Sequence, residues 1–369
     1  MIFRALLVLI LACSSVTPLR AIEDTSQVEA AAPSPEADDP VRLRELIDTL
    51  DQSSLQESFR LLTKDYINHE ELDSLAINRA ALQGMLSRLD FGAMLLTEKQ
   101  KSERNSPFQF HDTLLTPKIA YLRFGQFNKG EVASLDKALK TLTANKKVEH
   151  LILDLRSPQA QANFAIASQI LSRFRPPNEL LFKIRRPGDD RPSLFISKVA
   201  DESWAKNLIL LVDRETGNVG EIIAAVLKRE GDCLTIGEMT PGLTVEYRDV
   251  PVGEDRILRY AIAEVVLEDG TSIFQKGITP DLLTATSVEV KRAVFRENQK
   301  GNDLADILFE KQRPRMNEAA LVAGTDPEID FYLLRSQNKP TKWDKAPLRD
   351  RALMQAVDML QTSGFLESK

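Results

Sequence analysis

Cysteine and histidine are scarce in this sequence, with two and three residues respectively among 369. The two cysteines, Cys13 and Cys233, are too few for a disulfide framework. The histidines show none of the spacings that metal sites use. We therefore predict neither a metal nor any other cofactor. Cys233 opens a strand-like apolar run, and we interpret it as a buried, unreactive thiol.

An excess of basic charge is also lacking. The 48 lysine and arginine residues face 54 aspartates and glutamates, which gives a formal net charge of −6. A protein that binds nucleic acid needs a basic surface, so we expect no nucleic-acid partner. Apolar residues make up 43% and charged residues 28% of the chain, which is typical of a soluble globular protein and too polar for several membrane spans.

Residues 1–21 have the pattern of an export signal. Arg4 precedes the apolar run Ala5–Ala12, and small residues follow. The run is too short to span a bilayer. The pattern predicts an exported protein that lies in the periplasm or on a membrane facing it.

Two processing sites for this signal remain open. Cys13 follows Ile10–Ala12 and resembles the lipidated cysteine of a lipoprotein, whose lipid would anchor the chain to the membrane. Alternatively, cleavage after Ala21 releases a soluble protein. In both cases residues 22–40, rich in Ala, Pro, Ser and acidic residues, predict a disordered tether.

Hydrophobic periodicity divides the remaining chain into three parts. Residues 41–117 carry apolar stripes at helical spacing and predict a helical N-terminal region. Residues 118–286 alternate apolar strands with helical segments, which predicts an α/β core. Residues 287–369 predict a second helical region.

Four motifs follow one another between residues 118 and 285. They are Asp154–Arg156 after a strand, Thr216–Ala225 at a helix start, Ile236–Gly242, and Gly277–Asp281. In this order and spacing they resemble the motifs of the C-terminal-processing (tail-specific) serine peptidases. The resemblance implies a crotonase-like spiral α/β core, serine endopeptidase activity on protein C-termini, and a peptide or protein as substrate or partner.

The sequence departs from this family before the core begins. Ala81–Asp90 resembles the segment that leads into the family's PDZ domain. Only about 28 residues separate Asp90 from Lys118, too few for a domain with its own core. We therefore expect no PDZ domain and no selective capture of a peptide's C-terminal carboxylate.

The positions that match the catalytic residues are substituted as well. Asn218 stands where the resemblance places the serine nucleophile, Leu243 at the lysine base, and Tyr247 at the glutamine that orients the lysine. Gln159 and Ala160 replace the glycine pair of the oxyanion turn. Acyl transfer needs a nucleophile, a proton acceptor and oxyanion donors, so the resemblance implies that the peptidase machinery is lost.

Three of these substitutions, at Asn218, Leu243 and Tyr247, also have a structural interpretation. Asn218, three residues before Glu221, fits a helix N-cap with a capping box. Leu243, Val245 and Tyr247 alternate with polar residues, and the face they share would fill the former catalytic pocket or bind a ligand.

Two further hydroxyls lie near these positions. Thr216 and Ser157 could in principle replace the nucleophile, but neither has a basic partner at the motif's spacing. The sequence therefore favours a pseudopeptidase that binds or scaffolds peptides or proteins over an active endopeptidase. It leaves the enzyme question, the substrate and the oligomeric state open.

Overall fold

A computed structural model describes residues 40–103, 106–159, 162–231, 233–308, 327–337 and 348–366, together with 322, 324 and 339. The predicted signal, the tether to residue 39, Cys13 and Ala160 lie outside these residues. The chain forms two compact units, divided between Arg79 and Ala80. None of the helices in the described ranges is long and apolar enough to cross a membrane.

The first unit is helical in its described part. Helix α1 spans Pro40–Asp48 and α2 spans Gln52–Asp65, while α3, Ser74–Leu89, contains the boundary between the units. Asp51 caps α2 because its carboxylate accepts the backbone N–H of Ser54 at 2.8 Å.

The second unit contains two sheets and their covering helices. In the first sheet, with strand order β11-β8-β7-β4-β3-β2, all pairs are parallel except β2–β3. In the second sheet β10 pairs antiparallel with β1, β5 and β9, and β5 pairs with β6. The elements are β1 Ala93–Leu96, α4 Glu98–Glu103, β2 His111–Leu114, β3 Ile119–Arg123, α5 Lys129–Ala144, β4 His150–Asp154, α6 Phe164–Leu171, β5 Leu180–Arg185, β6 Ser193–Ile196, β7 Asn207–Val212, α7 Asn218–Arg229, β8 Cys233–Gly237, β9 Val245–Pro251, β10 Ile257–Val266, β11 Leu282–Leu283, α8 Val288–Gln299, α9 Leu304–Leu308, α10 Pro327–Ser336 and α11 Arg351–Leu366.

Both faces of the six-stranded sheet are covered, which explains why its central strands are apolar throughout. Every residue of β3 and β4 is buried. Leu151 and Leu153 of β4 face the core that contains α5, α6 and α7. Ile152 faces the opposite core, which contains α8, α9 and α11. The α/β fold is therefore confirmed, with helices packed on each side of the parallel strands.

The predicted helical segments before and after the core are present, but the first of them needs one correction. The N-terminal region is not only helical, because β1 joins the antiparallel sheet and β2 joins the edge of the six-stranded sheet. The C-terminal helices α8 and α11 cover one face of the core sheet. Cys233 begins β8, as expected, but it is only partly buried.

Candidate active site with substituted catalytic positions

The predicted site positions gather at one edge of the six-stranded sheet. Strands β4, β7 and β8 run parallel as neighbours and end at Asp154, Val212 and Gly237. The loops after them carry three of the four motifs and leave the sheet at the same edge. In open parallel sheets this carboxyl edge is where ligand and active sites form.

Asn218 begins helix α7 in a constrained backbone conformation. It is completely buried and has a φ of +37°. A positive φ is uncommon outside glycine, although asparagine tolerates it better than most residues. The N-cap of α7 is Gly217, which has no side chain to cap with, so the predicted N-cap at Asn218 is wrong by one residue.

The side chain of Asn218 is held by the main chain ahead of β9. Its amide is oriented by its neighbours, which are carbonyl oxygens: with the nitrogen facing them, Asn218 donates to the carbonyl oxygen of Val245 at 3.1 Å and to that of Leu243. The residue at the nucleophile position is therefore tied to the backbone of the residue at the base position. An amide bound in this way links the start of α7 to the main chain at the start of β9. It is also a poor nucleophile.

The described positions of the predicted nucleophile, base and oxyanion turn lie side by side. A Cβ placed on Gly217 would lie 3.8 Å from Leu243 Cδ1 and 3.4 Å from the carbonyl oxygen of Gln159. Leu243 and Gln159 are half-buried. The structure thus brings together Asn218, Leu243 and Gln159.

Tyr247 has a different role from the one its position suggests. Its hydroxyl donates to the carbonyl oxygen of Phe91 at 2.8 Å, and the guanidinium carbon of Arg259 lies 5.6 Å from its ring centroid. These contacts attach β9 to the segment just before β1. The side chain therefore supports the antiparallel sheet.

The strand alternation predicted from Leu243 onward is partly wrong. Strand β9 begins at Val245, and Leu243 precedes it. Thr244, predicted on the polar face, is fully buried, and within the described residues its hydroxyl has no hydrogen-bond partner. A single apolar face through residues 243, 245 and 247 is therefore not formed as expected.

Glu221 organises the site more than sequence reasoning indicated. Its buried carboxylate accepts hydrogen bonds from the Thr240 hydroxyl and the backbone N–H groups of Gly242 and Leu243, each at 2.6 Å. Burial raises the pKa of Glu221 to about 7, and these bonds, with a backbone hydrogen bond to Asn218, oppose the rise. The capping-box motif indicated the bond to Asn218 but not the loop around residue 242.

A lysine lies at the same sheet edge, but its donors are all used. Lys291 of α8 is 1% exposed and donates to the carbonyl oxygen of Arg156 at 2.9 Å. It also pairs with Glu215 at 2.8 Å and with Asp213. A charged ammonium with three acceptors has no lone pair with which to accept a proton. Lys291 is therefore not placed to act as a general base.

The same lysine belongs to a buried ionic network that joins the C-terminal helices to the sheet. Arg156 donates to Asp154 and to Asp350, with shortest distances of 2.6 and 2.8 Å. Burial raises the pKa of Asp213, an effect that Lys291 opposes. Nothing local in the sequence pointed to this network, because Asp350 and Arg156 are far apart along the chain.

The two hydroxyls considered as replacement nucleophiles serve the main chain. Ser157 is fully buried and donates to the carbonyl oxygen of Phe124 at 2.5 Å. Thr216 is also fully buried, and its hydroxyl oxygen accepts the backbone N–H of Asp213 at 2.9 Å. Both hydroxyls stabilise loops and are inaccessible to a substrate.

Comparison with known proteins agrees with this arrangement of motifs. The family model described as "Peptidase family S41" matches residues 118–284. A carboxy-terminal-processing protease of Bartonella bacilliformis is 29% identical over 220 residues, which are 58% of this chain and 50% of that protein. The chain thus spans about half the length of this curated relative.

Solved structures matched by this chain include a photosystem II D1 C-terminal processing protease. It is 21% identical, with a TM-score of 0.41, and the match covers 54% of this chain and 53% of that one. A lipoprotein from Streptococcus agalactiae is 14% identical, with a TM-score of 0.43 and coverage of 70% and 95%.

The parallel sheet, the helix that starts at Asn218 and the loops around it form the α/β core that carries the matched motifs. Residues 118–284 match the model of peptidase family S41, and the chain is similar to C-terminal-processing peptidases. Similarity to a family indicates common ancestry, whereas the activity of an individual protein depends on the residues in its site.

Proposed function

We propose that this protein is an exported pseudopeptidase of family S41 that binds or scaffolds peptides or proteins in the cell envelope. The observation that carries the proposal is the hydrogen bonding of Asn218 to the main chain at Leu243. The two side chains at the nucleophile and base positions are an amide and an alkyl group, and neither can start acyl transfer.

The loss of hydrolysis is tested with purified exported protein, an unfolded protein substrate such as casein, and a fluorophosphonate probe for reactive serines. We expect neither turnover nor labelling, with Asn218→Ala as the control. Turnover that survives purification and disappears in Asn218→Ala would mean that Asn218 has a chemical role and that the chain is an active endopeptidase.

Restoring single residues is not expected to restore activity. Catalytic groups act as a unit. In Asn218→Ser the new hydroxyl still lies beside Leu243, whose alkyl side chain cannot accept its proton. The double variant Asn218→Ser, Leu243→Lys still has Gln159 in the oxyanion turn. The loss of oxyanion donors alone lowers the rate about a hundredfold to a thousandfold. Casein turnover by the double variant at a rate typical of peptidases would contradict this view.

The peptide-binding part of the proposal is supported by the edge of β9. Among the strands of the described part of the chain, β9 pairs only with β10. Extended peptides bind such an edge through main-chain hydrogen bonds. We expect an unfolded polypeptide to bind, and a free-acid peptide and its C-terminal amide to bind equally. A clear preference for the free acid would show carboxylate capture.

The location is tested at the N-terminus of the mature protein. Mass spectrometry distinguishes a lipid-modified Cys13 from a free N-terminus at Ile22. The export signal and the tether-like composition of residues 22–40 support an envelope location. An intact Met1 in the cytosolic fraction would contradict both forms of the proposal.

A further inference from the structure

A cleft lies at the end of the six-stranded sheet opposite to Asn218. Its volume is about 780 Å³, and its walls are the turn after α6 and the loop that leads into β7. Asn207, the first residue of β7, lines it. So does Leu227, which lies nine residues, or about 14 Å, along α7 from Asn218. We call the space between residues 174–177 and residues 198–208 the amino-edge cleft.

The floor of the amino-edge cleft is apolar and its rim is exposed. Phe174, Trp204 and Leu208 are buried side chains of the lining. On the rim, Val199 is 84% exposed, and Pro176–Pro177 is exposed as well. Clefts of about 300–1,000 Å³ with mostly apolar walls and a few polar groups are typical of ligand sites. The floor can therefore receive an apolar side chain from a ligand that crosses the open rim.

Two lysines bring positive charge to this cleft. Lys198 and Lys206 are exposed lining residues, and within the described ranges neither forms an ion pair with a carboxylate. Lys206 donates to the carbonyl oxygen of Val148 at 2.6 Å, and its ammonium lies 5.4 Å from the ring centroid of Trp204. An ammonium group has three donors. Both lysines therefore keep donors for a ligand.

The other charged residues near the cleft leave this charge in place. Arg175 also lines the cleft, but two carboxylates pair with it at 2.6 and 3.2 Å, so it adds no net charge. Asp201 and Glu202 lie on the same loop as the lysines but outside the lining. The carboxylate of Glu202 accepts the hydroxyl of Thr143 on α5 at 3.2 Å. The uncompensated charge inside the cleft is that of the two lysines.

We propose that the amino-edge cleft binds an acidic segment of a partner protein. One large apolar side chain of that segment lies on the floor, and carboxylates on either side of it pair with Lys198 and Lys206. Charge complementarity favours an acidic ligand, because the two ammonium groups attract it and steer its approach. The floor favours a peptide over a simple anion, which would leave Phe174 and Trp204 uncovered. The inference does not depend on whether the chain hydrolyses peptides.

Fluorescence anisotropy with a labelled peptide and the exported chain tests the chemistry of the ligand. The probe has the core Asp-Glu-Phe-Asp-Glu, with both ends blocked. We expect it to bind at least about tenfold more tightly than Asn-Gln-Phe-Asn-Gln, which lacks the charge, and than Asp-Glu-Ala-Asp-Glu, which lacks the apolar anchor. Equal binding of either comparison peptide would overturn the proposal.

Charge reversal at the lysines tests the place of binding. The double variant Lys198→Glu, Lys206→Glu should bind the acidic peptide about tenfold more weakly or worse. The matched control is Lys129→Glu, Lys276→Glu, which makes the same change in charge at exposed residues outside the lining and should bind like the wild type.

The single variant Lys198→Glu keeps the test independent of a folding defect. It retains the bond of Lys206 to Val148 and should still lose about threefold in affinity. Unchanged affinity in this variant, or an equal loss in the control, would overturn the proposal.

Photocrosslinking separates the amino-edge cleft from the edge of β9. With benzoylphenylalanine in place of its phenylalanine, the peptide should crosslink to residues 174–177 or 198–208, as mapped by mass spectrometry. Crosslinks on β9 would overturn the proposal and assign acidic peptides to that edge. Phosphatidylglycerol vesicles that bind the wild type but not the double variant, without any binding of the peptide, would overturn it in favour of a lipid surface.

Discussion

Two clusters at the same edge of the six-stranded sheet differ in how they satisfy buried polar groups. Around Asn218, side-chain polar atoms bond mainly to main-chain groups, and the base position is the alkyl chain of Leu243. Around Lys291, full charges bond to one another. The first cluster contains the positions that we match to the family's catalytic residues, and the second joins α8 and α11 to the sheet.

The difference shows that the position of a charge decides chemistry more than its presence does. A lysine is available near the sheet edge, but two carboxylates and a carbonyl oxygen hold it. A general base needs a free lone pair within reach of the nucleophile. Four measurements separate the two clusters, from the largest expected effect to the smallest.

The largest effect is expected for Lys291→Met. Removing this ammonium leaves Asp213 and Glu215 without their buried partner, which typically destabilises a protein by about 3–5 kcal/mol. Urea unfolding measures the loss. Lys300→Met is the control, because Lys300 is exposed and pairs with Glu297 on the surface. Equal effects of the two substitutions would show that the network contributes no more than a surface pair.

The Glu221 cluster should make stability depend on pH in the neutral range. Its pKa is about 7 in the folded chain and about 4.5 when unfolded, so between these values the folded state holds a proton that the unfolded state has released. The contribution of Glu221 is therefore present below pH 4.5 and is lost as pH rises towards 7, by on the order of 3 kcal/mol. Between pH 4.5 and 7 the free energy of unfolding of the wild type should fall relative to that of Glu221→Gln, whose side chain does not titrate. If the two free energies change with pH in parallel, the raised pKa of Glu221 is contradicted.

Two substitutions at Asn218 separate the contribution of its side-chain hydrogen bonds to stability from the cost of its positive φ. Asn218→Ala loses both bonds to the main chain and keeps the positive φ, so we expect a loss of about 2 kcal/mol. Asn218→Gly loses the same bonds but tolerates this φ, and it should be about 1 kcal/mol more stable than the alanine variant. An alanine variant as stable as the wild type would show that the hydrogen bonds of Asn218 to the main chain contribute nothing to stability.

The smallest effect is expected at Arg123. This side chain is fully buried, its guanidinium has no hydrogen-bond partner among the described residues, and it lies 4.2 Å from the ring centroid of Phe295. Arg123→Met loses a cation–π contact but also removes an unpaired buried charge, so stability should change by less than about 1 kcal/mol. Arg156→Met, which breaks pairs with Asp154 and Asp350, should cost several times more. Comparable losses would mean that Arg123 has a partner of similar strength.

Much of the parallel sheet could be predicted because its signal is local. Apolar runs such as Leu151–Leu155 and Leu208–Val212 require burial on both faces, and turn residues separate them from amphipathic helices. The antiparallel sheet was less predictable. Its strand β10 pairs with β1, which lies more than a hundred residues away in the sequence, and no local pattern specifies such a partner.

The sequence by itself determined which chemical groups stand at the positions that we match to the family's nucleophile, base and oxyanion turn, because residue identity at a motif's spacing needs no folding to be read. Only the tertiary structure decided what those groups do: that Asn218 donates to the main chain at Leu243, that Glu221 holds the neighbouring loop, and that Lys291 is saturated by carboxylates. Hydrogen-bond partners and desolvation arise from residues distant in the chain, and they set both pKa values and accessibility. Whether hydrolysis is abolished stays a prediction, which the casein assay decides.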